Sequence, residues 1–311
     1  MRIRAVTGGS LTGIFLAALS AACFATKGVF AKYLYADGWD SESVLLMRTL
    51  LALPAIAAWT LWRLKPGTFS RAPATALLGA AAAGALCYGL GASLDFYALM
   101  RLEVSLERVL LFSYPSMVVV LCAVIYRELP RPPVVVALGV TYAGIALVVS
   151  GFDVRVFSAN LAGSGLVLGC ALSFAIYYLA SDRWTGVLGS AGFTLFASLA
   201  ATVCLVALHL VRHGLAIGPW HARDAGFFAG LVIIATVLPM LSMAEGVRLI
   251  GAERASVVST VGPPTTLLLG AWLLDERLRL AQWLGVALIV AGILILELAR
   301  QGPAAGAPRR A

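Results

Sequence analysis

Residues 111–144 read LFSYPSMVVVLCAVIYRELPRPPVVVALGVTYAG, and residues 259–292 read STVGPPTTLLLGAWLLDERLRLAQWLGVALIVAG. Each is two apolar runs, the first carrying a proline and closed by a glutamate, the second carrying an Ala-Gly step. Laid over one another at an offset of 148, Pro115 meets Pro263, Glu128 meets Glu276, and Ala143-Gly144 meets Ala291-Gly292. A fixed offset across two consecutive runs indicates internal duplication. Further out, Gly13, Leu16, Ala21 and Phe24 meet Gly163, Leu166, Ala171 and Phe174 at an offset of 150.

The runs recur along the whole chain. Only 12% of the 311 residues are Asp, Glu, Lys or Arg and 61% are hydrophobic, where a soluble chain spends about a quarter on charge. So few charges cannot cover a water-facing surface. Each run approaches the roughly 20 residues that a hydrocarbon core of about 30 Å demands of a helix. The first five expected spans lie near Leu11–Leu34, Ser43–Trp62, Ala72–Ala98, Ser105–Tyr126 and Val134–Gly151. The second five lie near Leu161–Ala180, Ala191–Val211, Ala225–Val247, Ala255–Leu274 and Ala281–Leu298. The fold class expected is all-α integral membrane, ten transmembrane helices as two inverted five-helix repeats, residues 1–151 and 152–300, with a disordered tail at 301–311. Five is odd, so the second half enters the bilayer from the opposite side. The first span is read as part of the first repeat, not as a cleaved leader, because the duplication needs it.

Lys and Arg set the orientation. With the N-terminus cytoplasmic, thirteen fall on that side and seven on the other, which favours both termini inside. The net charge of +8 is spread singly between apolar runs, without the basic blocks that would point to nucleic acid. Five cysteines lie within apolar runs with no C-x-x-C pair, and His209 and His213 stand at helical spacing without a carboxylate. Neither pattern makes a metal site. A nucleophile elbow and a phosphate loop are also missing, so the reading is of a protein without cofactor that is not an enzyme.

The stretches Leu111–Gly144, with Tyr114-Pro115 and Arg127-Glu128, and Arg254–Gly292, with Pro263 and Asp275-Glu276-Arg277, resemble the paired EamA-type domains of the drug/metabolite transporter superfamily. That resemblance implies ten helices in a bacterial-type inner membrane with both termini cytoplasmic. It also implies a central cavity between the halves and movement of small metabolites, often outward. The partners expected are the lipid bilayer, a small-molecule substrate and coupled protons, with the chain a monomer or homodimer.

Ionisable residues inside spans mark a pathway or a buried pair. Lys27 lies seven residues before Leu34, and Arg48 six residues after Glu42, depths of about 10 and 9 Å at 1.5 Å per residue. Asp95 lies late in the third span, and Glu107 and Arg108 begin the fourth. Two readings stand side by side. Lys27 and Arg48 bind an anionic or zwitterionic substrate, with Asp95 balancing charge or taking a proton, or the same groups staple helices as a fixed ion pair. Tyr177 occupies the repeat position of Lys27, with Tyr178 next to it, and either packs or offers a hydroxyl to substrate. Pro115 and Pro263 are expected to kink their spans and line the pathway. Glu245 and Arg248 form an inner pair at helical spacing, a gate or an anchor. Gly79, Gly84, Gly89 and Gly91 should let the third helix approach its neighbours closely.

Overall fold

The computed structural model describes residues 10–63, 72–99, 110–148, 161–216, 218–265, 268 and 280–301, and among them there is helix and no strand. In chain order come α1 (Ser10–Ala25), α2 (Lys27–Ala36), α3 (Ser41–Arg63), α4 (Ala74–Gly84), a π turn (Ala85–Gly91) and α5 (Ala92–Leu99). Then follow α6 (Tyr114–Tyr126), α7 (Pro132–Val148), α8 (Leu161–His213) and α9 (Asp224–Val232). A second π turn (Ile233–Val237), α10 (Leu238–Ile250), α11 (Ala252–Val258), a 3-10 turn (Ser259–Val261) and α12 (Leu280–Gln301) complete the order.

The ten expected apolar runs fall mostly on helix where the residues are described, with breaks at Thr26 and Phe112-Ser113. Among the described residues, five helical stretches are long and apolar enough to cross a bilayer, including Ser41–Arg63, Ala74–Asp95 and Asp224–Ile250. Leu61, Trp62, Leu78, Val124 and Val211 stand exposed on the outside of the bundle, as suits a lipid solvent. The protein is an all-α, multi-pass membrane protein. The sixth and seventh runs join as one helical stretch of 53 residues, α8, turned back at Gly189 with φ 71 and ψ 160. Only glycine occupies that region without strain, so α8 consists of two antiparallel arms.

Packing follows the duplication. α1 lies along α10, as the first arm of α8 lies along α4 and its π turn; α3 meets the second arm of α8, α6 meets α11, and α7 meets α12. Under exchange of the halves, the first-with-eighth contact becomes the sixth-with-third, and the other three pairs map onto themselves. Details repeat as well. The backbone of Ala17 packs on Gly246, and their repeat counterparts Val167 and Ala98 share one apolar cluster.

Small residues make these approaches. A Cβ on Gly84 would overlap the backbone of Ala197, and one on Gly79 would overlap the Trp184 ring. Gly91 meets Ser173, and a Cβ on Gly89 would stand 3.2 Å from the Cβ of Cys204, so all four expected glycines of the third span face α8. At the α7–α12 contact, Gly144 meets Gly285 and Ile289, while Gly292 meets Thr141 and the Ala137 carbonyl. The repeated Ala-Gly step is therefore one seam between the two halves.

Pro115 and Pro263 do something other than kink a continuous helix. Pro115 sits in the first turn of α6, after a break at Phe112-Ser113, and Pro263 opens a fresh helical segment after the Ser259–Val261 turn. A proline there has no intrahelical N–H to lose. The Ser113 carbonyl accepts both the Met117 N–H and the Tyr142 hydroxyl at 3.3 Å, and the Tyr142 oxygen accepts the Ser116 N–H at 3.2 Å. The two breaks touch, because the Tyr114 hydroxyl is hydrogen-bonded to Ser259 Oγ.

Candidate central binding cavity

Halfway along the spans, between the two halves, lies a small cavity. The first half contributes Phe24, Arg48, Thr49 and Tyr88, among others, and the second contributes Ser198, Thr236 and Met240. Local structure explains why these side chains converge. Tyr88 lies inside the π turn Ala85–Gly91 and Thr236 inside the π turn Ile233–Val237. The two are 148 residues apart, so the halves carry the same rare distortion at the same place. Single π turns within α-helices are frequent at functional sites, and the widened turn re-aims one side chain. Here the two re-aimed side chains face one cavity. Thr236 Oγ1 also bonds back to the Leu231 carbonyl at 2.8 Å, satisfying part of the loosened backbone.

Arg48 is 7% exposed, and its Nε has no hydrogen-bond partner. Asp95, equally buried, lies close enough to act on Arg48 electrostatically, yet no ion pair with Arg48 forms among the described residues. Asp95 Oδ1 likewise lacks a hydrogen bond. Lys27 begins α2, just beyond the break at Thr26, and its Nζ stands 4.7 Å from the centre of the Phe24 ring on the cavity wall. Of the predicted trio only Arg48 lines the cavity; Lys27 stands beside the Phe24 wall and Asp95 acts on Arg48 without pairing with it. Glu107 and Arg108 lie outside the described residues.

Tyr177 and Tyr178 are buried but do not line the cavity. Tyr177 packs edge-on behind Tyr88 with centroids 5.0 Å apart and against Phe193 at 5.3 Å. Tyr178 stacks on Tyr114 at 5.5 Å. Together with Phe174 they form an aromatic floor beneath the cavity. Pro115 and Pro263 are buried at the crossing of the two broken helices and are absent from the cavity wall. Of the two readings that repeat equivalence to Lys27 offered for Tyr177, packing or a place in the cavity, the structure shows packing, and Tyr88 in the π turn lines the cavity. The missed lining residues, Thr49, Tyr88, Ser198 and Thr236, shared one legible signal, a polar side chain in mid-span.

At the end of the bundle carrying Trp39, polar contacts join the halves. Glu42 bonds Arg212 at 2.5 Å and His213 at 2.9 Å. Arg223 donates through Nε to Asp37 at 2.8 Å, and the Trp39 indole donates to Asp224 at 2.9 Å. Between these spans, Asp40 caps α3 by accepting the Ser43 N–H at 2.9 Å. Partial burial pushes the Asp40 carboxyl up, but the bonds from Ser43 and the nearby His213 outweigh it and hold the group below the ordinary carboxylate range. At the opposite end Arg248 Nε reaches Glu245 at 2.8 Å within α10. That exposed pair lies within a single helix.

The sequence matches the EamA-like transporter family twice, over residues 11–150 and 161–298. The chain belongs to that family. This EamA-like transporter is 30% identical over 289 residues to the uncharacterized transporter YcbK of Bacillus subtilis (strain 168), covering 91% of each chain. It is 25% identical over 305 residues to the uncharacterized inner membrane transporter YicL of Salmonella typhimurium, covering 94% of this chain and 97% of that one. A crystal structure with 18% identity superposes with a TM-score of 0.72 over 96% of the EamA-like transporter and 100% of the other chain, a likeness of fold.

Proposed function

We propose that this protein is a secondary transporter that exports small metabolites, amino acids or related organic ions, across the bacterial cytoplasmic membrane by alternating access. The observation that carries the reading is the central cavity, lined from both halves and holding a buried guanidinium with an unmet donor. Duplicated halves of opposite orientation offer two similar ways of closing one site. The Trp39 end is the periplasmic gate, the aromatic floor under Tyr88 is the cytoplasmic one, and both termini lie in the cytoplasm. Lys27 and Arg48 hold the substrate, and Asp95 balances their charge or takes the coupled proton.

Reconstituted in proteoliposomes, the protein should give saturable flux driven by a substrate or proton gradient. Lys27→Ala and Arg48→Ala should each lower that flux in a folded protein. Flux unchanged in both would remove the assigned site, and product formation in detergent without vesicles would replace transport with catalysis. Reporter fusions placing the termini in different compartments would break the topology.

A further inference from the structure

We infer that the C-terminal end of α3, at the opposite end of the bundle from Trp39, holds the phosphate headgroup of an anionic phospholipid on Arg63, Trp59 and Trp62. α3 runs 23 residues from Ser41 to Arg63, about 34 Å at 1.5 Å per residue, against a hydrocarbon core of about 30 Å. Its first end lies at the water boundary, where Asp40 caps it, so Arg63 emerges at the other boundary, level with the lipid phosphates. Thr60 fixes the rotation of that end. Itself buried, it donates to the Ala191 carbonyl of α8 at 3.1 Å, while Trp59, Trp62 and Arg63 stand exposed on the other side of the helix. Leu51, Ala55, Ala58 and Trp62 are exposed at helical spacing above Arg63, a track along which an acyl chain can lie.

The guanidinium has donors to spare. Its carbon stands 5.1 Å from the centre of the Trp59 ring and 5.8 Å from that of Trp62, with the two rings 5.2 Å apart. Contact with a ring face uses the charge of a guanidinium and leaves its N–H groups for other acceptors. Arg212, Arg223 and Arg248 are each paired with a carboxylate, whereas Arg63 forms no ion pair among the described residues. Arg63 does act on Glu245 electrostatically, but both Glu245 oxygens are bonded to Arg248. A phosphodiester accepts two parallel N–H bonds in the geometry that a guanidinium offers. Headgroup charge then decides the lipid. A zwitterionic headgroup brings an ammonium that the guanidinium repels, and the ring faces that would attract it are already held by Arg63. A headgroup carrying the phosphate charge alone brings attraction only.

The test uses the whole protein, delipidated in detergent and titrated with dioleoyl phosphatidylglycerol, dioleoyl phosphatidylcholine or inorganic phosphate, with bound lipid counted by native mass spectrometry and Tm recorded alongside. Phosphatidylglycerol should bind about fivefold or more tightly than phosphatidylcholine. Arg63→Gln should reduce that preference below about twofold, and Arg63→Lys should keep part of it. Replacing Trp59 and Trp62 together by leucine keeps the charge and should weaken phosphatidylglycerol about threefold, which keeps the inference testable if Arg63→Gln fails to fold. Arg183, over the Trp184 ring at 4.8 Å, is the control, and Arg183→Gln should leave the preference intact. Equal binding of the two lipids to the parent, a preference that survives Arg63→Gln, or phosphatidylglycerol affinity indifferent to loss of both rings would overturn the site. An equal loss in Arg183→Gln would show diffuse attraction to a basic surface and overturn it too. Inorganic phosphate bound as tightly as phosphatidylglycerol would overturn the lipid as occupant. None of these readouts involves flux, so the site and the transport reading stand or fall separately.

Discussion

In lipid a polar group finds its partner within the protein or goes without, and individual residues here show both outcomes. Tyr142 serves two backbone groups beside Pro115, the Ser113 carbonyl and the Ser116 N–H. Tyr142→Phe should therefore lower stability by about 1–2 kcal/mol, read as a fall in Tm, with the helix content by circular dichroism unchanged. Asp40 works at the water boundary. Its folded-state pKa lies below the ordinary value, so its stabilisation is present at neutral pH and is lost as pH falls below the ordinary carboxylate value of about 4. Asp40→Ala should cost about 1 kcal/mol at neutral pH. The Tm difference between Asp40→Ala and the parent should shrink towards acid, and a difference constant from pH 7 to pH 3 would contradict the cap.

At the scale of helices, small residues decide how near two axes come, and positive φ decides where the chain reverses. Gly84 has no room for a side chain against the Ala197 backbone. Gly84→Val should force α4 and α8 apart and destabilise by about 1–3 kcal/mol, measured by Tm. Gly189 and Gly251 share nearly the same backbone, φ 71 and ψ 160 against φ 84 and ψ 161. An alanine at either should cost about 1–3 kcal/mol through strain, although at Gly251 a Cβ would stand 3.8 Å from the Asp182 carboxylate, an ordinary contact. At both positions the loss should appear in Tm, and equal stability of both variants and the parent would show that the turns tolerate a side chain.

Over the whole molecule, function depends on how the halves move against each other. Several contacts of the Trp39 end run between halves, with Asp37, Trp39 and Glu42 on one side and Arg223, Asp224, Arg212 and His213 on the other. The Glu42–Arg212 pair is partly exposed, at 23% and 42%, so its own coupling should be about 0.2–1 kcal/mol in a double-mutant cycle. Its position matters more than its strength. In a background without the native cysteines, Glu42→Cys with Arg212→Cys joined by a short bifunctional thiol reagent should stop flux, and reduction of a cleavable linker should restore it. Flux persisting in a fully cross-linked protein would place the moving surface elsewhere.

The apolar runs, the duplication and the repeated Ala-Gly step were determined by sequence alone. Run length follows from bilayer thickness, and Gly144 and Gly292 stand at one offset whatever the chain does between them. Sequence also assigned Lys27 and Arg48 a comparable expected depth, since depth along a helix is residue count times rise. Azimuth about the axis was beyond its reach. That Tyr88 rather than Tyr177 faces the cavity depends on two π turns, and an inserted residue in a helix leaves the apolar pattern nearly unchanged while rotating every side chain after it. Likewise, Pro115 and Pro263 each read as a mid-span kink, because an unbroken apolar run hides a helix that stops and restarts. Which charges meet was settled only in three dimensions: Asp37 with Arg223 and Glu42 with Arg212 are 186 and 170 residues apart, and contacts at such separation come from the packing of whole helices.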